Sequence, residues 1–443
     1  MSLFRIAWRS IQQRGLASLL TAVSMALGVL LVVAVLAIHG VVSDSFRSNA
    51  SLGYNMIVGA KGGKLQLTLN TVYYLSQPIQ NVPYDYYLEF LTAEQRAAQL
   101  GDPGELDLER DGKFGPFVDF AIPLCLGDYV GRFRAVGTTP EFFEHLRHGR
   151  RGDQRFEFAH GRNFKRHSPE HGYFEAVVGS IVAHEMGFRL GDVIKPAHGD
   201  PDGEGHDEGF TVVGILKPSA TPTDRAVFVN MEGFFLMEGH ALPVEGAPYS
   251  TAVDPTRPLP IKQREVTALL VRSADIAVTP MLQNLIDDSP HAQAVLPVLE
   301  IHNLFEVIVR PVQAILLALT AMVCIVSGIS ILVSIYNSMS ERRHEIAVMR
   351  ALGAGRDTVM AIILLESIVL SLGGGVVGWV LAHTLAVAAN PLIEARTGVT
   401  IGFFDINLAE ALLIPSLIVL AVLFGFFPAV SAYRTDVAKS LNQ

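Results

Sequence analysis

Cysteine is scarce in this sequence, and basic residues are outnumbered by acidic ones. The two cysteines among 443 residues are Cys125, in a polar region, and Cys324, inside a long apolar run. A disulfide between them is implausible, so an ordinary hydrophobic core must hold the polar region together. The net charge of -9 argues against a nucleic-acid binder, which would carry a basic patch on its soluble part.

Motifs of the common catalytic sites are also lacking. His184-Glu185 has no second histidine of the zinc-protease pattern, and no Gly-x-Ser-x-Gly elbow occurs. The nearest approach to a phosphate-binding loop, Gly59–Leu65, is one residue short and ends in Leu65 where Ser or Thr would bind magnesium. We therefore expect that the chain is not an enzyme and that no ATPase lies within it.

Charge is almost absent from four long apolar runs. Leu16–Gly40, Pro311–Tyr336 and Leu412–Ala432 contain no Asp, Glu, Lys or Arg, and Thr358–Asn390 contains only Glu366. Each run exceeds the roughly 20 residues that a helix needs to cross a bilayer. Backbone groups must be satisfied internally in lipid, so the runs are helices. The predicted fold is a membrane protein with four transmembrane helices, one plus three, and a large α+β extracytoplasmic domain inserted between helices 1 and 2.

Arginines set the orientation of these helices. Short loops rich in Lys and Arg stay in the cytoplasm. Such residues flank the first run and fill the loop between the second and third, as Arg5, Arg9, Arg14, Arg342, Arg343, Arg350 and Arg356. We therefore expect a multi-pass protein of the bacterial inner membrane with both termini in the cytoplasm.

The predicted boundaries follow from these runs. The pieces are a cytoplasmic amphipathic helix (1–15), transmembrane helix 1 (16–40), the extracytoplasmic domain (41–305), transmembrane helix 2 (306–337), a cytoplasmic helix and loop (338–357), transmembrane helix 3 (358–390), an outside loop (391–410), transmembrane helix 4 (411–433) and a cytoplasmic tail (434–443).

Short apolar or alternating stretches predict strands in the inserted domain, and longer periodic ones predict helices. The predicted strands are Asn55–Val58, Arg132–Val136, Glu175–Val178, Phe210–Leu216, Ala226–Val229 and Val266–Val271. The predicted helices are Thr92–Leu100, Pro140–Leu146 and Ser180–Met186. Three tracts rich in Gly, Pro or acidic residues, Asp102–Gly115, Gly199–Gly209 and Pro243–Pro260, predict loops.

Two short segments among the arginine-rich parts that are predicted to be cytoplasmic have amphipathic patterns. Near the N-terminus, Phe4, Trp8 and Ile11 share one face, which is typical of a helix anchored in the lipid headgroup layer. A simple basic anchor and a partner contact both fit this helix. After the second run, Ile346, Met349 and Leu352 recur at helical spacing. That apolar stripe needs a docking surface, either on a partner or on the chain's own bundle.

Residues Ser340–Ala354, with the sequence SERRHEIAVMRALGA, resemble the signature of the MacB/FtsX-like permease family of ABC transporters. Glu366-Ser367 followed by the glycines 373–375 and 378 continues the resemblance. In the inserted domain, Val177–Ser180, Leu190–Val193 and Phe210–Leu216 resemble the family's periplasmic core domain. Segments 70–128 and 243–260 do not match the better-known members.

This resemblance implies a permease dimer, of two copies or of related permeases, that binds separate ABC ATPase subunits, in which ATP and magnesium would be held. The residues it assigns to ATPase docking are Glu341, Arg342, Arg343, Glu345, Ile346, Met349, Arg350 and Leu352. ATP-driven motion would pass along the helices to the outside domain. That domain would act on a hydrophobic or lipid-linked substrate, or on a secreted or periplasmic partner.

Two features of the third run suggest helix packing. Gly374 and Gly378 form a small-xxx-small pair, which lets two helices approach closely, within one chain or across a dimer. Glu366 is the acid within a span, and such acids are costly in lipid and often functional. Its place near the cytoplasmic end favours a structural hydrogen bond to a neighbouring helix.

A metal site is a further hypothesis. His198, His206 and Asp207 lie in an acidic, Gly-rich tract, and His240 follows later. Zinc takes imidazole and carboxylate ligands at four-coordinate sites. The spacing matches no standard structural site, and acidic loops are commonly just solvated. The sequence thus leaves two functions besides lipid handling: divalent-metal handling, and a signal relay to cell-wall enzymes without transport.

Overall fold

The computed structural model describes residues 2–433, apart from 50–51, 105, 150–151, 200–202, 204, 244–255, 342, 352, 398–401 and 404–407. The chain splits into two compact units. One comprises residues 1–43, 307–393 and 400–443, and we call it the helical bundle. The other comprises residues 44–306 and 394–399, and we call it the inserted domain.

Helices make up most of the bundle and are scattered through the inserted domain. In chain order the described α-helices are Leu3–Gln13 (α1), Gly15–Asn49 (α2), Lys64–Tyr73 (α3), Tyr84–Leu88 (α4), Ala93–Ala97 (α5), Glu141–His145 (α6), Ser180–Met186 (α7), Met231–Leu236 (α8), Thr279–Asp287 (α9), Pro297–Leu304 (α10), Arg310–Glu341 (α11), Arg343–Ala351 (α12), Arg356–Thr397 (α13), Leu408–Ala411 (α14) and Leu413–Tyr433 (α15). A turn of π-helix, Phe305–Val309, separates α10 from α11.

Four of these helical segments are long and apolar enough to cross a membrane. They are Gly15–Ala37 (span 1), Pro297–Asn337 (span 2), Arg356–Asn390 (span 3) and Leu413–Val430 (span 4). The large inserted domain lies between the first and second of them. The predicted one-plus-three fold class is therefore confirmed.

The spans pack on one another through apolar side chains and a few polar contacts. Their shared core includes Met25, Val29, Val33, Ile331, Ile335, Val359, Ile363 and Leu417. Ser327 Oγ donates to the carbonyl of Ser24 at 3.0 Å, and Ser371 Oγ donates to the carbonyl of Leu417 at 3.2 Å. Small side chains and interhelical hydrogen bonds are what associates helices in lipid, where apolar burial offers little.

The inserted domain is built on a mixed β-sheet. The strands of the described residues are Met56–Gly59 (β1), Val82–Pro83 (β2), Val118–Val130 (β3), Phe133–Thr138 (β4), Arg147–His148 (β5), Gln154–Arg155 (β6), Phe158–Gly161 (β7), Glu175–Val178 (β8), Val193–Ile194 (β9), Ala197–His198 (β10), Phe210–Leu216 (β11), Ala226–Asn230 (β12), Glu265–Val266 (β13), Ala268–Ser273 (β14) and Gln293–Val295 (β15). The main sheet has the order β15-β1-β14-β3-β4-β12-β8-β11-β7, with β10 beside β3 and β9 beside β11. The β4–β12 and β8–β11 pairs are parallel, and the other pairs in this sheet are antiparallel.

All six predicted strands exist, but several others were not predicted, among them the longest one. Strand β3, of 13 residues, runs through Pro123, Gly127 and Asp128, residue types that usually end strands. Its pairing with β4 shifts register between Leu126 and Tyr129, which is a β-bulge or a similar irregularity. The bulge accommodates the turn-forming residues inside a continuous strand. The predicted loop 243–260 falls largely outside the described residues.

A buried arginine ties three segments of the inserted domain together. Arg264 is fully buried and donates to the carbonyls of Leu259 at 2.7 Å and of Leu100 at 2.8 Å. It also forms a 3.0 Å ion pair with Glu232. Burial raises the pKa of Glu232, and the guanidinium of Arg264 acts against that rise. Removing either partner would therefore leave an uncompensated charge in the interior and lower the stability of the domain.

Candidate functional sites

Four side chains with metal-ligating atoms meet in the inserted domain: Asp128, His198, His206 and His240. Asp128 lies in the irregular stretch of β3, and such bulges commonly re-aim a side chain at a functional site. Strand β10 pairs antiparallel with β3 and places His198 directly opposite Asp128. Directly opposed residues have neighbouring side chains.

Backbone pairing brings the second histidine to the same place. Ala197 forms a β-bridge with Gly205, and the backbone N–H of His206 donates to the carbonyl of Pro196 at 2.9 Å. The chain therefore doubles back on itself and sets His206 beside His198.

The third histidine arrives from the end of α8. Gly239 has φ = +84°, a left-handed conformation that glycine adopts without strain, and it turns the chain toward the site. The ring of His240 lies edge-on to that of Phe234, with centroids 4.4 Å apart. The imidazole of His240 therefore packs against a side chain of helix α8.

The donor atoms converge closely. His240 Nε2 lies 3.1 Å and His206 Nε2 lies 3.3 Å from Asp128 Oδ2, and His198 Nδ1 lies 3.1 Å from Asp128 Oδ1. The Nε2 atoms of His206 and His240 are 3.4 Å apart. Among the described residues, neither carboxylate oxygen of Asp128 has a partner in hydrogen-bond geometry.

Burial differs sharply within the cluster. Asp128 is fully buried, and the side chains of His206 and His240 are 9% and 8% exposed, whereas that of His198 is 65% exposed. Burial acts to raise the pKa of Asp128, but the imidazoles of His206 and His240 outweigh it and hold the pKa well below its ordinary value. Contact with these two imidazoles therefore favours the ionised form of the carboxylate.

The metal hypothesis from the sequence is corrected at one position. His198, His206 and His240 come together, but Asp207 is exposed and lies outside the cluster. Asp128 stands in its place. No spacing rule links Asp128 to histidines so distant in sequence, because strand pairing is what joins them.

Helix α12 carries the predicted docking stripe. Ile346 is 6% exposed and belongs to the bundle core, against which Met349 also packs. Ile346 is therefore not available to a partner, whereas Val348 is 39% exposed. Of the other predicted docking residues, Arg350 is partly buried. The side chains of Glu341, Arg343 and Glu345, together with Arg342 and Leu352, lie outside what the structure describes.

Helix α1 presents its aromatic residues outward. Phe4 and Trp8 are 57% and 46% exposed, and Ile11 is partly buried. On the opposite face Ser10 is buried, and its hydroxyl donates to Glu366 Oε2 at 2.9 Å. The outward face suits the predicted membrane anchor, which stays a prediction.

Glu366 and the glycines of span 3 are packing devices within this chain. Arg14 pairs with Glu366 and donates to the carbonyl of Ser334 at 3.1 Å. A Cβ added at Gly374 would lie 2.7 Å from the carbonyl oxygen of Ala22, and one at Gly378 would lie 2.3 Å from that of Ala26. The small-xxx-small pair therefore seats span 3 against span 1.

A second buried acid, missed by sequence reasoning, lies just before span 4. Glu410 Oε2 accepts a hydrogen bond from Trp379 Nε1 at 2.9 Å and lies 3.0 Å from His383 Nε2. The side chains of Glu410 and His383 are both buried. The signal available in the sequence was His383, the titratable group that accompanies Glu366 in the third apolar run. These contacts fasten span 3 to α14.

Comparison with known proteins assigns both units. The family model of the MacB-like periplasmic core domain matches residues 18–288, more than half of the chain. The model of the FtsX-like permease C-terminal domain matches residues 317–437.

Individual relatives match over shorter stretches. The macrolide export ATP-binding/permease protein MacB of Nitrobacter winogradskyi is 33% identical over 132 residues, 30% of this chain and 20% of that protein. MacB of Photorhabdus laumondii is 36% identical over 117 residues, which are 26% of this chain and 17% of that protein. An uncharacterized ABC transporter permease of Methanocaldococcus jannaschii is 27% identical over 285 residues, which cover 61% of this chain and 62% of that protein.

The match thus spans about a fifth of the MacB proteins and less than two thirds of the archaeal permease. The order of the two matched domains is the order of the inserted domain and the last spans along this chain. The chain belongs to the MacB/FtsX-like permease family of ABC transporters.

Proposed function

We propose that this chain couples ATP hydrolysis in a separate ABC ATPase to conformational work by its inserted domain on the outer side of the membrane. Family membership supports an ATPase partner. The observation that carries the coupling is the burial of Ile346: the helix predicted to meet the ATPase shares one core with residues of all four spans. A displacement of α12 cannot leave that core unchanged, because closely packed interiors transmit strain.

A second mechanical link runs through α1. Its buried Ser10 and the following Arg14 both bind Glu366 of span 3. Motion at the N-terminal helix would therefore be felt in span 3 as well. The permease works as a dimer with a second copy or a related permease, and both termini face the cytoplasm.

The inserted domain would act on a hydrophobic or lipid-linked substrate, or on an envelope partner. The exposed faces of the spans carry large apolar side chains, among them Leu19, Leu316 and Val419, which suit contact with lipid. A signal relay without transport uses the same coupling and differs only in what the inserted domain binds.

Divalent-metal handling is a second candidate function, and one observation favours it. The donor atoms of Asp128, His198, His206 and His240 all lie within 4.8 Å of one another in the inserted domain. In this version of the function, zinc is what the inserted domain carries or responds to.

Co-purification tests the ATPase partner. In mild detergent, the wild-type permease should retain an ABC ATPase, and Val348→Glu should lose it, because that exposed side chain lies on α12. Ile276→Glu is the matched control: Ile276 is 84% exposed in the inserted domain and should have no effect on retention. Retention by Val348→Glu at the wild-type level would refute docking at α12. Absence of an ATPase from the wild type would end the separate-subunit proposal.

Orientation has its own test. In a background without Cys125 and Cys324, a membrane-impermeant maleimide should label Ile276→Cys on intact spheroplasts. It should label Val348→Cys only after the membrane is opened. Labelling in the reverse order would invert the proposed topology.

A further inference from the structure

We infer that Asp128, His198, His206 and His240 form a zinc-binding site in the inserted domain. The biological role of the site rests on the second candidate function above, but the binding itself does not. It belongs to the permease alone and is independent of any ATPase.

The donor set has the chemistry that zinc prefers. Three imidazole nitrogens and one carboxylate oxygen are common zinc ligands, and four protein ligands complete a tetrahedral site. Ligands at about 2.0–2.1 Å around a tetrahedral ion stand about 3.3 Å from one another. Among Asp128 Oδ2, His206 Nε2 and His240 Nε2, the separations of 3.1, 3.3 and 3.4 Å agree with that value. The donor atom of His198 completes the set, in which all four donor atoms lie within 4.8 Å of one another.

A network held by hydrogen bonds alone explains the cluster less well. Asp128 is fully buried, and the nitrogens of three imidazoles lie 3.1–3.3 Å from its carboxylate oxygens. One protonated imidazole would balance the carboxylate, so three exceed what a simple histidine–aspartate pair requires. The Nε2 atoms of His206 and His240 are also 3.4 Å apart, a distance at which two protonated rings would repel each other. A metal ion bound to all four donors explains both features.

The burial pattern indicates how the ion would enter and what it would fasten. His198 is the exposed ligand, so the ion reaches the site from solvent on that side and His198 is the ligand that exchanges most readily. The four ligands come from β3, from β10, from the segment that pairs with β10 through Gly205, and from the turn after α8. Zinc would therefore fasten β10, its paired segment and the turn to the central strand. A closed set of four ligands holds a metal rather than leaving a position for a reacting water.

Metal content of the full-length permease tests the inference. The protein, purified in detergent without a polyhistidine tag, is stripped with a chelator, incubated with zinc chloride and desalted. We expect about one zinc per chain for the wild type, and a loss of that zinc in the double variant His206→Ala/His240→Ala. His160→Ala/His291→Ala is the matched control, because it removes two exposed histidines of the same domain and should keep the zinc.

Two further variants guard against simple misfolding. Asp128→Asn keeps the side-chain shape, and His198→Ala changes an exposed residue. Each should weaken zinc binding at least about ten-fold, the loss produced even by removing a residue that only supports a zinc ligand. Zinc should also raise the melting temperature of the wild type and not that of the double variant, because binding to the folded state stabilises it.

Cobalt identifies the geometry. Cobalt(II) bound at the site should give the intense visible absorption of a tetrahedral complex, and zinc should displace it. A wild type that retains no zinc overturns the inference, as does a double variant that binds zinc as tightly as the wild type. A weak octahedral cobalt spectrum would overturn the ligand set. None of these outcomes depends on ATPase docking, so failure of the site and failure of the coupling proposal are distinguishable.

Discussion

Ser10 Oγ donates a hydrogen bond of 2.9 Å to Glu366 Oε2, although the two residues are 356 positions apart in sequence. The contact joins α1 to span 3. Arg14 pairs with the same carboxylate and also donates to the carbonyl of Ser334 in span 2. The Glu366–Arg14 pair therefore connects α1, span 3 and span 2.

Replacing this acid should loosen the bundle. Glu366→Leu removes the carboxylate that pairs with Arg14, and loss of one partner of a buried ion pair costs about 3–5 kcal/mol. Glu366→Gln keeps an acceptor for Ser10 and should cost less. Thermal unfolding in detergent, followed by fluorescence of Trp8 and Trp379, measures both. If Glu366→Leu melted at the wild-type temperature, the carboxylate would have no structural role.

Ser10→Ala separates the hydrogen bond from the ion pair. It should cost about 1 kcal/mol, the net value of one hydrogen bond. Ser330→Ala is its control, because the hydroxyl of Ser330 donates to the carbonyl of Val326 within its own helix and does not join two helices through that bond. Equal effects of the two variants would contradict the account.

Two glycines of span 3 should respond differently to alanine. A Cβ at Gly378 would come within 2.3 Å of the Ala26 carbonyl oxygen, whereas one at Gly373 meets nothing within 4 Å. Gly378→Ala should destabilise the bundle by about 1–3 kcal/mol through overpacking. Gly373→Ala should be neutral, or stabilise by up to about 1 kcal/mol because alanine favours helix. Melting temperatures of the two variants decide it, and similar values would argue against close contact of spans 1 and 3.

In the inserted domain, Arg264 should matter far more than a surface arginine. Arg264→Met leaves Glu232 buried without its partner, at a cost of about 3–5 kcal/mol. Arg272→Met breaks a pair with Asp119 in which both side chains are more than half exposed, so its cost should stay within about 1 kcal/mol. The two variants are compared by the hydrogen-exchange rates of the amides in the main sheet, which should rise more in Arg264→Met than in Arg272→Met. Equal exchange rates would show that the buried pair is dispensable.

Acid should weaken the inserted domain through Glu175. Burial acts to raise the pKa of Glu175, but two hydrogen bonds from Arg162, of 2.9 and 2.6 Å, and one from the backbone of Lys165 lower it from 4.5 to about 2. A folded-state pKa below the unfolded one gives stability that is present above the ordinary pKa and is lost as pH falls toward the folded value. The loss should therefore run from about pH 4.5 to about pH 2.

Glu175→Gln provides the comparison, since it cannot ionise. The variant should be less stable than wild type at neutral pH, and the difference should shrink as the medium is acidified. Denaturant unfolding at several pH values measures it. A difference that stayed constant with pH would show that the ionised carboxylate is not the source.

Membrane spans, six of the strands and the family could be predicted from the sequence. Lipid permits few spanning structures, so runs such as Leu16–Gly40 need no tertiary information. Strands such as Glu175–Val178 are short apolar runs of a buried sheet, and the structure has that strand at the predicted residues. Strand β3 was not predicted, because it contains residue types that usually end a strand and that a bulge accommodates here.

The cluster in the inserted domain shows the limit most clearly. Residue type points to histidines 198, 206 and 240, and adjacency in sequence points to Asp207, whereas nothing local points to Asp128. Local composition cannot tell which carboxylate a sheet register will place opposite His198. The docking stripe has the same limit: periodicity puts Ile346 on an apolar face, and only packing shows that the bundle itself covers that face.

What the sequence determined by itself is everything that solvent or lipid imposes on each segment alone: the four spans, the polar inserted domain, its alternating strands and the family motif. What only the tertiary structure decided is which distant residues meet. Asp128 with three histidines, Glu366 with Ser10, and Gly378 with Ala26 are products of strand pairing and helix packing. Those contacts depend on the whole fold, because each joins two segments that are distant in sequence, and the local sequence of one segment does not specify which other segment will pack against it.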